Sequence, residues 1–342
     1  PEATVGPTDA ESRRAPAALA QLDGAGLAAA FASIAPTGPW EPLGYEGDDS
    51  AALVQLRDSA GERLDLTVVL GEDGLIEQLN FQPGFEHTAA TSWEELDTAV
   101  TALPAPTTLV VTDVSDPAAP DEVFASGEDG AFPIGSIFKL YVLGAVTDAV
   151  EAGTISWDDT LTVTDDVKSL PSGELQDAPD GTEISVQDAA TTMIGVSDNT
   201  ATDMLIGLVG REAVEAQLAV MGHCGPSLNT PALTTRELFV LGWGEDAAPR
   251  EEWAAAPDAE ARRATLAALA AGAPQVDPLD VVEAVWGQGL DWFATPGDLV
   301  AAHLALREKA ATPAGEPLAE ILGTNPGFAP EVISRIGEPY VR

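Results

Sequence analysis

Two groups of residues carry the chemistry of a nucleophile and its base. The first is Ser136 and Lys139 in FPIGSIFKLYVL, a hydroxyl and one of only three lysines, three residues apart in an otherwise apolar run. Helical spacing places both on one face. The run reads as a buried helix with Ser136 at its N-terminus, where free N–H groups and the helix dipole stabilise an anion. A lysine in apolar surroundings loses hydration of its charged form, so its pKa falls. A neutral amine beside a hydroxyl can take its proton and make a nucleophile without a histidine. An ordinary helix with a serine cap and a snorkelling lysine would use the same residues. The second group is Ser197, Asp198 and Asn199 in GVSDNTATDML, between two apolar helices. Here a second hydroxyl can shuttle a proton, an amide can bind a substrate carbonyl, and Asp198 can hold the loop. A plain helix N-cap suits Ser-Asp-Asn equally well. The two groups together, in this order, favour the chemical reading.

The elements that position these residues are legible in outline. Residues 1–8 read as a loose tail. An alanine-rich helical pattern follows from Asp9 to about Ile34, broken at Gly24 and Gly26. Three strand-like runs come next, AALVQLRD, RLDLTVVLG and LIEQLNFQPG, each closed by a turn signal. A helix followed by an antiparallel meander makes a small α+β unit over residues 9–86. Beyond it, residues 87–342 form a second domain. The run WEELDTAVTAL predicts a helix with Ser92 as N-cap and Glu95 closing a capping box. Two strands, TTLVVTDVSD and DEVFASGE, precede the Ser136 run, and the rest is mostly helical. The run TPGDLVAAHLALREK predicts a helix capped by Thr295, with Pro296 at its first position and Asp298 at its third. Residues 244–280 read as a helical excursion with loops.

Composition narrows the function. The chain has 342 residues, 56 acidic and 15 basic, for a formal net charge of −41. Such an acidic protein repels phosphate backbones, which argues against nucleic acid and anionic membranes as partners. One cysteine, Cys224, excludes an internal disulfide, and three histidines in no zinc spacing imply no metal. No apolar run approaches the roughly 20 residues of a membrane span. The first residue is Pro1, which fits removal of a leader.

With these motifs in place, the chain resembles the penicillin-recognising serine enzymes, and class A β-lactamases in particular. The resemblance rests on S-x-x-K at Ser136–Lys139, S-D-N at Ser197–Asn199 and the helical run TATDMLIGLVGREAVEAQLAVMG, and covers about residue 90 to the end. The stretches SLPSGELQD, NTPALTTRELFVL and DWFATPGDL are similar to an actinobacterial subgroup. That subgroup includes envelope lipoproteins and a β-lactamase-like protein of clavulanic acid biosynthesis. Its members join an isomerase-like or cystatin-like α+β domain to the catalytic one. The resemblance implies an α+β fold: an antiparallel sheet flanked by helices beside an all-helical lobe, with the site between them. It implies Ser136 as nucleophile with its own N–H as half of an oxyanion hole. It also implies Lys139 as general base, Ser197 as proton relay, Asn199 as substrate ligand, and no cofactor.

Two family features depart from pattern. The family's E-x-x-L-N supplies the deacylating base. Here GPSLN keeps Leu228 and Asn229 but has Gly225 in place of the Glu, and His223 is either a substitute or a surface histidine. The family's K-T-G strand is missing, and a strand expected to begin at EPYVR ends at Arg342, which suggests a truncated chain. The expectation is a secreted or envelope-anchored serine hydrolase that forms an acyl-enzyme with a β-lactam or small ester and deacylates slowly. A D-alanyl-D-alanine peptidase, an esterase, or a non-turnover lipoprotein that binds peptidoglycan or β-lactams remain alternatives. The oligomeric state is left open.

Overall fold

The computed structural model describes residues 40–47, 51–71, 74–84, 90–170, 172–276, 281 and 284–324. The chain forms two compact units, Pro1–Ala89 with Phe328–Arg342, and Ala90–Gly327. The expected tail, the helix from Asp9 to Ile34 and the strand at EPYVR lie outside the described residues.

In the first unit, four strands form an antiparallel sheet in chain order: β1 (Glu41–Gly47), β2 (Ala51–Arg57), β3 (Arg63–Leu70) and β4 (Ile76–Pro83). The last three are the expected runs. β2 and β3 pair Leu53 with Thr67 and Leu56 with Leu64, and such branched and apolar cross-strand pairs stabilise a sheet. The β2–β3 turn is held by Asp58 Oδ1, which accepts the Ala60 and Glu62 N–H groups at 2.8 Å. β1 escapes sequence reasoning because Pro42, Gly44 and Gly47 read as turn formers. An edge strand tolerates them, and the register is irregular between Pro42 and Gly44.

The second unit begins with α1 (Trp93–Thr101) and a hairpin of β5 (Thr108–Asp113) and β6 (Asp121–Gly127). Ser92 caps α1 by accepting from Glu95 N, at 3.2 Å. The reciprocal half of the expected capping box is absent. Glu95 Oε2 instead accepts from the Thr91 N–H and hydroxyl at 2.7 and 2.8 Å, one residue earlier. Trp93 stacks on Phe124 of β6, and the Ser126 hydroxyl donates to Asp97, so α1 is docked on the hairpin.

A two-residue strand, β7 (Phe132–Pro133), leads into α2 (Lys139–Glu151). Residues 139–147 of α2 are all buried. A helix apolar on every side can be stable only at the centre of a core, and α2 packs against the helices around it. Leu143, Val142 and Val146 are fully enclosed, each gaining about 1.5–3 kcal/mol from burial. A short hairpin, β8 (Thr160–Thr162) with β9 (Glu183–Ser185), precedes α3 (Val186–Gly195), α4 (Asn199–Val209) and α5 (Arg211–Val220). α6 (Thr235–Trp243) comes next, and the excursion over residues 244–280 contains α7 (Ala248–Ala255) and α8 (Ala259–Ala268). Strand β10 (Phe293–Ala294) follows, then α9 (Pro296–Lys309) and α10 (Leu318–Gly323). α9 has the expected capping box of Thr295 and Asp298 with Pro296 at its start. Antiparallel strands with flanking helices and a helical lobe make the unit α+β, as the sequence implied.

Candidate active site

The turn that carries Ser136 is assembled from two distant segments. β7 pairs antiparallel with β10, Pro133 opposite Phe293. Ile134 N–H donates to Trp292 O at 2.8 Å. Gly135 has φ +48, a conformation only glycine adopts without strain, and its N–H donates to Asp291 Oδ1 at 3.0 Å. A 3-10 turn, Gly135–Phe138, then enters α2. Phe138 lies flat on Trp292 with ring centroids 3.6 Å apart. The result is an exposed Ser136 on a turn fixed from beneath. Ile137 beside it is 44% exposed. Burial raises the Asp291 pKa, and the N–H groups of Gly135, Trp292 and Ile134 oppose that rise. In the sequence, Asp291 lies within DWFATPGDL without any sign of a part in the site. Its only signal was an acidic residue beside an aromatic one.

Lys139 is 2% exposed. Its ammonium donates to Ser197 O at 2.6 Å, Ser197 Oγ at 2.9 Å and Asn199 Oδ1 at 2.9 Å. Burial lowers its pKa to about 8, against the opposing pull of Asp203 and Asp198. The structure thus brings Lys139, Ser197 and Asn199 into one cluster, one helical turn from Ser136.

The Ser197–Asn199 segment links α3 to α4. Ser197 has φ +59, a left-handed conformation costly for a side chain with a Cβ. That geometry turns both its carbonyl and its hydroxyl toward Lys139. Asp198 caps α4 by accepting Ala201 N–H at 2.8 Å. Its other oxygen accepts Glu174 and Leu175 N–H at 2.8 and 3.0 Å. One carboxylate therefore holds the loop on both sides. Gly173 (φ +91) presses on it so closely that a Cβ there would overlap Asp198. Asn199 Nδ2 donates to Leu170 O at 3.1 Å, and among the described residues its second hydrogen has no partner, so it can serve a ligand carbonyl.

One helical turn along α4, Asp203 is buried. Its oxygens accept Thr235 N–H and Arg236 N–H, both at 2.8 Å. Thr235 Oγ1 lies 2.9 Å from Asp203 Oδ1, 3.2 Å from Asn199 O and 2.7 Å from Ser169 Oγ. Burial raises Asp203 to about 7, opposed by the N–H groups of Arg236 and Thr235. This residue was not singled out in the sequence, where it reads as one more polar position on an amphipathic helix.

His223 is neither a surface residue nor a free base. Its side chain is fully enclosed. Nδ1 accepts Gly225 N–H at 3.0 Å, and Nε2 lies 2.7 Å from Phe293 O. Both nitrogens are spent on the backbone. Asn229 is equally committed, donating to Phe293 O at 2.9 Å and accepting Phe293 N–H at 2.7 Å. Residues 223–229 thus brace β10, and through it the Ser136 turn. Leu228 is exposed. Among the described residues, a Cβ on Gly225 would meet only atoms of Leu228.

The described cations after Asn199 are engaged elsewhere. Arg211 pairs with Glu237 and Arg263 with Glu215. Arg236 and Arg250 donate to backbone carbonyls, Arg262 covers Trp253, Arg307 donates to Val114 O, and Lys309 pairs with Asp148. Among the described residues, none takes the place of the K-T-G lysine. No group of described His, Cys, Asp and Glu residues could hold a metal ion, and no described helix is long and apolar enough to cross a membrane.

Solved structures similar to this chain include PBP-A, at 20% identity, covering 68% of each chain with a TM-score of 0.43. A β-lactamase of Sphaerobacter thermophilus is 23% identical, covers 69% of this chain and 71% of its own, and has a TM-score of 0.44. Penicillin-binding protein D2 of Listeria monocytogenes, in its ampicillin-bound form, is 15% identical, covers 65% of this chain and 67% of its own, with a TM-score of 0.39. No curated protein matches the sequence. Residues 2–76 match a family described as ORF 12 gene product N-terminal. Residues 91–273, more than half of the chain, match the family described as Beta-lactamase enzyme family. The chain therefore belongs to the β-lactamase enzyme family.

Proposed function

We propose that the protein is a serine hydrolase that forms an acyl-enzyme on Ser136 with a β-lactam or a small ester. The observation that carries this reading is the buried Lys139, lowered to about 8 and tied to Ser197 and Asn199, one turn from an exposed serine. Neutral Lys139 takes the Ser136 proton as Oγ attacks the carbonyl carbon. The Ser136 N–H stabilises the developing oxyanion. Ser197 passes the proton to the departing group, and the free Asn199 Nδ2 hydrogen orients the substrate amide. No cofactor enters the scheme. The finer placement belongs to the same proposal: the actinobacterial subgroup with an isomerase-like N-terminal domain, and a secreted or envelope-anchored location.

Deacylation is the slow step in this reading. Gly225 carries no carboxylate, and both nitrogens of His223 are bonded to the backbone. The same observation favours a second reading, a protein that is acylated by β-lactams or a peptidoglycan peptide and keeps the label. Incubation of the full-length protein with a penicillin, followed by mass spectrometry, tests both. One adduct per chain on Ser136, absent in Ser136→Ala, is expected. An adduct elsewhere, or equal labelling of Ser136→Ala, overturns the assignment. The lifetime of the adduct separates slow turnover from permanent capture.

A further inference from the structure

Asp203 poses a question that helix capping does not answer. α6 already has a complete capping box from Thr234 and Glu237. Asp203 adds acceptors for its first two N–H groups, a task a neutral asparagine performs in part without burying a charge. Burying an unpaired carboxylate is costly, and none of the ion pairs among the described residues includes Asp203. The Arg236 guanidinium, next to it in sequence, is turned away onto the carbonyls of Gly272 and Ala270. The cation whose charged form Asp203 favours, together with Asp198, is Lys139.

The geometry supports a link. Asn199 and Asp203 sit four residues apart on α4, hence on one face. Asn199 accepts from the Lys139 ammonium through Oδ1, and its backbone oxygen meets Thr235 Oγ1, which also meets Asp203 Oδ1. Low-dielectric surroundings strengthen the action of a buried charge on its neighbours. We propose that Asp203 is a positioning residue whose charge sets the pH at which Lys139 becomes a base for Ser136. Ionised, Asp203 holds the proton on Lys139; protonated, it lets that proton go more easily.

Three other charged groups lie near this pair. Asp198 faces Lys139 from the start of α4, but three backbone N–H groups share its charge. Glu237 faces Asp203 from α6 and is neutralised by Arg211 of α5. Lys168, nearby in sequence to Ser169, is paired with Asp180. The proposal rests on the reading of Lys139 as the base, and its test has a readout that needs no reaction.

The chain has only three lysines, Lys139, Lys168 and Lys309. In protein labelled with 13C-lysine, three Cε signals report three titrations, and Lys139→Arg assigns one of them. In the parent, the Lys139 signal is expected to move in two steps, because Asp203 takes up its proton in a neighbouring pH range. In Asp203→Asn the movement becomes a single step, and the midpoint falls by about one pH unit, the effect of one neighbouring charge. The half-maximal pH for acylation of Ser136 falls with it, so the variant is a few-fold faster than the parent near pH 7.5. A purely structural role for Asp203 slows the variant instead. A Lys139 midpoint that stays in place or rises in Asp203→Asn, with the Lys139 signal still distinct, overturns the proposal. Where the variant does not fold, the parent decides: a one-step Lys139 curve overturns it. Lys139 titrating as described in a protein that no penicillin acylates would refute the reaction and leave the coupling standing.

Discussion

Replacing Gly173 by alanine is expected to damage the site without touching a reacting group. Gly173 has φ +91, and a Cβ built on it falls on the carboxylate of Asp198, 2.5 Å from the Asp198 Cβ. Two penalties combine. An L-residue in the left-handed region costs about 1 kcal/mol more than glycine. Forcing an extra methyl into a packed contact costs typically about 1–3 kcal/mol. The sum is about 2–4 kcal/mol, and the loop cannot relieve it by sliding away. The Glu174 and Leu175 N–H groups that Asp198 holds belong to the same loop, and moving them gives up bonds to a charged acceptor. For a unit of about 240 residues, 1 kcal/mol corresponds to roughly 2–4 °C, so the melting temperature should fall by about 5–15 °C. The effect reaches the chemistry because Ser197, adjacent to Asp198, supplies two of the three acceptors of Lys139. Thermal denaturation and penicillin labelling of the still-folded variant at low temperature measure the two parts. A melting temperature within about 2 °C of the parent, with labelling intact, would refute the packing argument.

Other outcomes follow from the same geometry. Lys139→Arg keeps a charge but cannot deprotonate, and acylation should drop by about 10²–10⁴; a stopped-flow rate near the parent's would show that charge alone suffices. Ser197→Gly removes the hydroxyl proposed as the relay and the left-handed strain at φ +59. It should melt no lower than the parent while acylating at least about tenfold more slowly. Gly225→Glu should fold, since φ at Gly225 is −127 and a Cβ meets only Leu228 at 3.3 Å. By itself it should leave the burst-then-slow release of the leaving group unchanged. Fast steady turnover in either protein contradicts slow deacylation. Stability should also respond to pH. Asp203 binds its proton up to about 7 when folded and only to its ordinary 3.8 when unfolded. The folded state therefore holds the extra proton between those values, and relative to Asp203→Asn the parent should lose stability as pH rises through that window. Lys139, about 8 folded against 10.5 unfolded, gives the opposite slope: stability recovers as pH rises from about 8. Urea midpoints across pH 4–10 for parent and variant check both signs.

How much of this was legible in the sequence differs by element. Ser136, Lys139 and Ser197–Asn199 could be read because local spacing and a few residue types define them. The cap of α9 was equally readable, since Thr295, Pro296 and Asp298 are neighbours that act on one another. The capping box at Ser92 was half right, because a glutamate can reach one residue further back, to Thr91. β1 was missed because an edge strand accepts residues that otherwise spell turns. Asp291, Asp203 and the burial of His223 were invisible for a different reason. Each acquires its meaning from a partner 30 to 160 residues away, Gly135 for Asp291, Thr235 for Asp203 and Phe293 for His223, and no local pattern encodes such a pairing.

The docking of β10 beneath the Ser136 turn has a consequence for synthesis. Asp291 lies 156 residues after the Gly135 N–H that it accepts, and the β7–β10 pair spans a similar distance. A chain leaving the ribosome exposes Ser136 long before the segment that shapes its turn has been made. Contacts so far apart in sequence form late. The growing chain therefore displays a serine and a lysine with the right spacing but without the frame that aims them. Only when residues 291–294 dock does the serine acquire its fixed geometry. With Ser136 as the proposed nucleophile, reactivity would arrive with that docking, and a covalent label on Ser136 would mark docked molecules and pass over nascent ones.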